Sequence, residues 1–353
     1  MTAADPLYLH AFFAESGSHH PMKSPVIPVF SGAPGALVRH LRIFRRRLGL
    51  PLAMALTLAT LPAAQPMKPN PEPLSSTLWA HDNLVAWCVV PFDAMKRGPE
   101  ERAEMLAGLG FKHFAYDWRT EHVPTFDAEI SALKKRGINL LAWWFPFQPD
   151  DPAARDTLET FKRHAVQPQL WVMQASTKSA SPLTDEEQIT LNAERIHGLA
   201  KLAAPYGCTI GLYNHNGWFG LLDNQLAVLR RVREMGSTNV GIVYNFSHAR
   251  DPHHDDTVDF PALWQKIQPE VLAVNLTGMR MEGDIVYPSQ GDSELSMMRT
   301  IAESGWQGPV GVIAEKGGDA EVTLRNYLVG VDWLAAEIQQ PGSGGPRPFP
   351  VVP

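Results

Sequence analysis

Two cysteines in 353 residues, Cys88 and Cys208, give no basis for a disulfide framework. Each opens an apolar run, which is the setting of a buried thiol in a strand. A basic excess is missing as well. With 31 Lys and Arg against 37 Asp and Glu, the chain carries a net charge of -6 and a pI near 6.1. A nucleic-acid binder would show a basic face, so that partner class is set aside. No Gly-x-Gly-x-x-Gly follows any apolar run, which disfavours a dinucleotide fold. No basic cluster of the kind that grips phosphate is evident either.

What is present is organised in blocks. Residues 1–37 are rich in Pro, Gly, Ser and His, without periodicity, and read as disordered or as an over-extended start. Arg39, Arg42, Arg45, Arg46 and Arg47 then precede an apolar stretch from Leu48 to Ala64. A basic segment followed by an apolar one is the pattern of an export signal or anchor, assigned to residues 38–64. No Ala-x-Ala site stands near Ala63-Ala64, so an uncleaved anchor stays open. The chain is therefore expected to be exported to the periplasm or anchored to the inner membrane, touching membrane only through this segment. Residues 65–80 form a Pro-rich linker, and 339–353 read as a disordered tail.

Between them, residues 81–338 carry eight strand-then-helix pairs. The strands are expected at 84–91, 113–118, 139–146, 169–175, 209–214, 240–246, 271–276 and 310–315. Each run is short, continuous and apolar, as parallel strands buried on both faces are. Helix starts follow: Pro99-Glu100-Glu101, Thr125, Asp185-Glu186-Glu187 and Asp319-Ala320-Glu321. Eight regular alternations over about 255 residues predict a single (β/α)8 barrel.

In such a barrel the strand tips converge on one mouth, and here the tips are polar. Asp117 ends the second strand, as a sugar-hydroxyl acceptor or as an ion-pair partner of Arg119. Trp143 and Trp144 end the third; one can stack on a sugar face while the other packs in the core. Gln174 ends the fourth, with Lys178 in the loop beyond. Asn214-His215 and Asn245-Phe246-Ser247-His248 end the fifth and sixth, and imidazoles at adjacent tips suit proton transfer or metal ligation. His253-His254-Asp255-Asp256 follows as a loop that partly covers the pocket. Asn275 ends the seventh strand and Glu315-Lys316 the eighth, the glutamate as a general base or metal ligand against a plain Glu-Lys pair. Ser289-Gln290-Gly291-Asp292 reads as a substrate-contacting loop or a helix cap.

At these tips the chain resembles the xylose isomerase-like TIM barrels, the sugar phosphate isomerase/epimerase family that also contains AP endonuclease family 2. The likeness runs over about 80–338, through Tyr213 to Trp218, Val243 to His248, Asn275 to Met279 and Gly330 to Leu334. It implies a carbohydrate isomerase, epimerase or keto-glycoside lyase that removes a proton next to a sugar carbonyl, with a small carbohydrate as partner. His215, His248 and Glu315 are the implied catalytic set. Asp117, Trp144, Gln174, Asn214, Asn245, Asn275 and Lys316 are the implied substrate contacts. Metal-dependent members place carboxylates or histidine where this chain has Tyr213, Asn245 and Asn275, and only Glu315 and the nearby His248 keep the family residues. The resemblance leaves open a rebuilt Mn²⁺, Zn²⁺ or Mg²⁺ site on His215, His248 and Glu315, and equally a non-catalytic sugar-binding barrel.

Overall fold

The computed structural model describes residues 77–174, 183–215, 217–251, 254–313 and 317–350. The export segment, Lys178, Asn216, His253, Glu315 and Lys316 lie outside the described residues. Among the described residues no helix is long and apolar enough to cross a membrane.

Eight strands close on themselves: β1 (Leu84–Trp87), β2 (His113–Tyr116), β3 (Asn139–Trp144), β4 (Gln169–Val172), β5 (Thr209–Tyr213), β6 (Val240–Asn245), β7 (Val271–Leu276) and β8 (Val310–Ile313). They are hydrogen-bonded in the order β1-β8-β7-β6-β5-β4-β3-β2, with every neighbour parallel. The seam between β1 and β8 pairs Leu84 with Val310 and Trp87 with Ile313. The helices α1 (Pro99–Gly108), α2 (Phe126–Lys135), α3 (Pro152–His164), α4 (Asp185–Ala203), α5 (Leu222–Glu234), α6 (Phe260–Ile267), α7 (Glu294–Glu303) and α8 (Ala320–Gln339) alternate with them. The molecule is a (β/α)8 TIM barrel, as the alternation of elements predicts.

Helix starts follow the local chemistry. Pro99 opens α1, where a missing N–H costs nothing, and the Glu101 carboxylate accepts from the Gly98 backbone. Thr184 and Glu187 cap α4 reciprocally, and Asp319 accepts from the Glu321 N–H at the start of α8. On α8 the stripe Leu324, Leu328, Val331 and Leu334 is buried. Beyond it, residues 340–350, given above as a disordered tail, carry contacts back to the barrel. Glu337 accepts from the Gly342 and Gly344 N–H groups, and Gln290 donates to the Pro348 carbonyl.

The pleat of the strands sorts aromatic rings to two faces. Tyr116 and Trp143 point outward and meet Phe126 and Phe161 beneath the helices. Trp87, Trp144, Trp171 and Tyr213 point inward and pack on one another. Two glycines make this filling fit. A Cβ on Gly211 would lie 2.9 Å from the Trp171 ring, and one on Gly311 1.8 Å from the Asn275 amide oxygen.

One ion pair is sealed in the helical layer. Arg102 of α1 donates to Glu129 of α2 and to the Arg97 carbonyl, and the Glu129 carboxylate is fully buried. Removing one member leaves the other charge uncompensated. Arg102→Met is therefore expected to lower unfolding free energy by about 3–5 kcal/mol in chemical denaturation, and Arg102→Met with Glu129→Leu to recover most of it.

Candidate active site at the barrel mouth

The inward residues at the C-terminal ends of the strands form one connected group. Its centre is the Tyr213 hydroxyl. Trp87 Nε1 donates to it across the barrel at 3.1 Å, and Asn245 Nδ2 donates at 2.6 Å from the neighbouring strand. Asn245 in turn accepts through Oδ1 from the Ser247 N–H at 3.0 Å, which fixes its amide orientation and caps the short turn Phe246–His248. Asn214 is a tie rather than a free contact. Its Oδ1 accepts from the Asn245 N–H at 2.6 Å and its Nδ2 donates to the Asn245 carbonyl at 3.3 Å, continuing the β5–β6 pairing past the strand end.

Above this layer stand His215 and His248, with ring centroids 4.3 Å apart and tilted by 47°. Tyr213 meets the His248 ring edge-on at 6.1 Å. Burial pushes the His215 imidazole down to about 4, and burial, then His215 and His254, hold His248 well below the usual histidine range. Both rings are therefore neutral at pH 7. His254 sits behind them, its Nε2 at 3.0 Å from the His248 carbonyl, on a two-residue antiparallel ribbon with Arg250–Asp251. Arg250 ties that ribbon down through Asp255 and Thr257.

Asn275 of β7 lies opposite Asn245 in register and is completely buried. Neither atom of its amide has a hydrogen-bond partner, an arrangement that native interiors seldom tolerate without a ligand or water. Asp117, one residue past β2, is 2% exposed. Its Oδ1 accepts from the Val90 N–H at 3.2 Å, and its Oδ2 has no partner. Trp144 and Gln174 are half-buried on the β3 and β4 side. The loop Ser289–Asp292 is a cap: Glu294 accepts from the Gly291 N–H and Asp292 from the Met281 N–H.

The model of the xylose isomerase-like TIM barrel family matches residues 104–336. The chain belongs to that family. Among curated proteins none matches it. Solved structures of similar fold include the IOLI protein with a bound zinc atom, at 15% identity and a TM-score of 0.57, covering 72% of this chain and 98% of that one. A second is the 3-keto-D-glucoside 4-epimerase YcjR from E. coli, at 15% identity and a TM-score of 0.52, covering 71% and 98%. A third is D-psicose 3-epimerase crystallised with D-fructose, at 15% identity and a TM-score of 0.51, covering 69% and 89%.

Within this xylose isomerase-like barrel the family metal positions can be tested for fit. A divalent cation needs lone pairs directed at it. At Tyr213 two N–H donors already point at the oxygen, and at Asn245 the carbonyl oxygen is turned onto a backbone N–H. These positions do not fit such an ion. Among the described residues no three His, Cys, Asp or Glu groups converge as a metal site. Glu315, the third member of the rebuilt set, lies outside the described residues.

Of the residues expected at the mouth, the structure brings His215, His248, Asn245, Asn275, Asp117 and Trp144 to it, and gives Asn214 the strand-tying role. Trp87 and Trp171 are additions. Their signal was available, since each stands on the inward parity of its strand, but buried aromatics in strands are ordinarily core.

The neutral histidines make a pH prediction. His215 at about 4 in the fold, against about 6.5 unfolded, means the unfolded chain binds the extra proton between those values. Stability is then lost as pH falls through about 6.5 towards 4, by about 3 kcal/mol from this residue. Denaturation midpoints measured from pH 7.5 to 4 are expected to drop, and to drop less steeply in His215→Asn.

Proposed function

We propose that this barrel is a carbohydrate isomerase or epimerase that moves a proton on the carbon next to a sugar carbonyl, and that its substrate is an uncharged sugar or keto-sugar. One observation carries the reading: a neutral His215–His248 pair, ring centroids 4.3 Å apart, stands at the strand ends of a family barrel beside Tyr213, Asn245 and the inward indoles Trp87 and Trp144. A neutral imidazole accepts a proton through its bare nitrogen and donates a hydrogen bond through the other. His248 is assigned as the base at the C–H bond, with Glu315 as its alternate. His215 donates to the carbonyl oxygen, and Asn275, with an unengaged amide, donates to the enediolate oxygen that develops. Trp144 and Trp87 offer faces to the apolar side of a pyranose. In a 3-keto-glycoside the same proton removal expels the aglycone from the adjacent carbon, so the lyase reaction is a branch of one mechanism. The epimerases among the solved structures of this fold support the reaction class.

The competing reading is a sugar-binding barrel without turnover, favoured by the neutral residues at three family metal positions. Solvent deuterium exchange separates the two. Incubating the protein in D2O with D-fructose and with a 3-keto-D-glucoside is expected to place deuterium beside the carbonyl, and His248→Ala to slow that exchange about 10²–10⁴-fold. Saturable sugar binding with no exchange in the unaltered protein would establish the binding protein instead.

We also propose export, on the Arg-rich run and the apolar stretch Leu48 to Ala64. Fractionation of a bacterial host is expected to place the protein beyond the cytoplasm, and N-terminal sequencing to find it starting within about 65–80 if the segment is removed.

A further inference from the structure

Resting on the proposed reaction, taken as removal and return of a proton on opposite faces of one carbon, we propose that Asp117 is the second proton carrier, across the mouth from the His215–His248 pair.

The placement follows from the closed strand order. In the ring β1-β8-β7-β6-β5-β4-β3-β2, the strand four steps from β6 in either direction is β2. His248 stands just past the end of β6 and Asp117 just past the end of β2, so a sugar ring in the mouth lies between them. The pleat gives the side-chain direction. Tyr116 packs outward on Phe126 and Trp143, and Trp118 packs outward on Phe126. Asp117 between them faces the interior.

Its chemistry suits the task. The Val90 N–H fixes one oxygen, while the other is buried with no partner. An unpaired buried carboxylate oxygen is costly when charged, which favours a protonated carboxyl at this position. Burial raises this carboxyl to about 7, against the pull of Arg119, the Val90 N–H and Arg102, so both protonation states are populated at neutral pH. The other titratable groups around it are Tyr116, whose hydroxyl burial pushes well above the usual range, and Glu129, which is paired with Arg102.

The proton balance is simple. His248 takes the proton from the carbon on one face, leaving an enediolate and an imidazolium. Protonated Asp117 then delivers its Oδ2 proton to the same carbon from the opposite face, giving the inverted centre and a carboxylate. The imidazolium releases one proton to water and the carboxylate takes one up, which restores the site with no net change. One base alone returns the proton to the face it left.

This makes a signature that a structural role cannot produce. Full-length protein is incubated in D2O with D-fructose and with a 3-keto-D-glucoside, and deuterium uptake and epimer formation are followed separately. In Asp117→Asn, which keeps an acceptor for the Val90 N–H, epimer formation is expected to fall about 10²–10⁴-fold while deuterium exchange and KM stay within about threefold. His248→Ala is expected to lose both. Equal loss of exchange and inversion in Asp117→Asn, or loss of neither, overturns the proposal. Absence of exchange in the unaltered protein overturns the parent reading together with this one. Should Asp117→Asn fail to fold, the infrared spectrum of the unaltered protein decides. A protonated-carboxyl band that titrates near neutral pH supports Asp117, and its absence from pH 5 to 8 overturns the assignment.

Discussion

The hydroxyl of Tyr213 is the junction on which the mouth depends. It gathers an indole N–H from β1 and an amide N–H from β6 while being carried on β5, so three strands are fastened by one oxygen. In a water-poor barrel interior such bonds resist exchange with solvent, and each fixes the rotamer of its donor. The Asn245 amide then fixes the turn that carries His248, and the Asn214 amide fixes the strand tip that carries His215. The histidine pair is thus set by a chain of hydrogen bonds that begins on the far wall. At Tyr213 and Asn245 this chain closes the space with donors and acceptors that satisfy one another, while the Asn275 amide is left unengaged.

The barrel itself was legible in the sequence because its physics is periodic. Short apolar runs separated by amphipathic stretches have few other ways to bury themselves, and the caps at Pro99, Thr184 and Asp319 mark where helices begin. The polar tips were legible for the same reason, since Asp117, Asn245, His248 and Asn275 interrupt apolar runs at equivalent positions. What could not be read was the division of labour among them. Asn214 and Asn245 look alike in sequence, yet one ties backbone and the other orients a phenol. Trp143 and Trp144 are adjacent and identical, and only parity separates a core ring from a mouth ring. Whether an amide is engaged or idle depends on neighbours about 30 residues away. Strand ends were also overdrawn: the expected run at 84–91 stops pairing at Trp87, where Cys88 adopts a φ of 54° and turns the chain out of the sheet.

Glycine has an unusual share in shaping this interior. Eight strands leave room for a fixed set of side chains, and this sequence places two indoles, a third half-buried one and a phenol in that space. Gly211 and Gly311 absorb the excess, one against Trp171 and one against Asn275. The exchange is specific, because large rings on one wall require bare backbone on the next. It also lets the fully buried Asn275 amide lie against bare backbone, with neither of its atoms hydrogen-bonded.

The character of the described wall bears on how a ligand arrives. Apart from Asp117, it is indole, phenol, carboxamide and neutral imidazole, which project little field into solution, in contrast with the charged clefts that draw ligands in over a Debye length. For an uncharged ligand of the kind proposed, capture at such a mouth would rest on collision and on shedding water onto flat aromatic faces. Its rate would then be set by diffusion and by how quickly the rings dry, with little dependence on added salt.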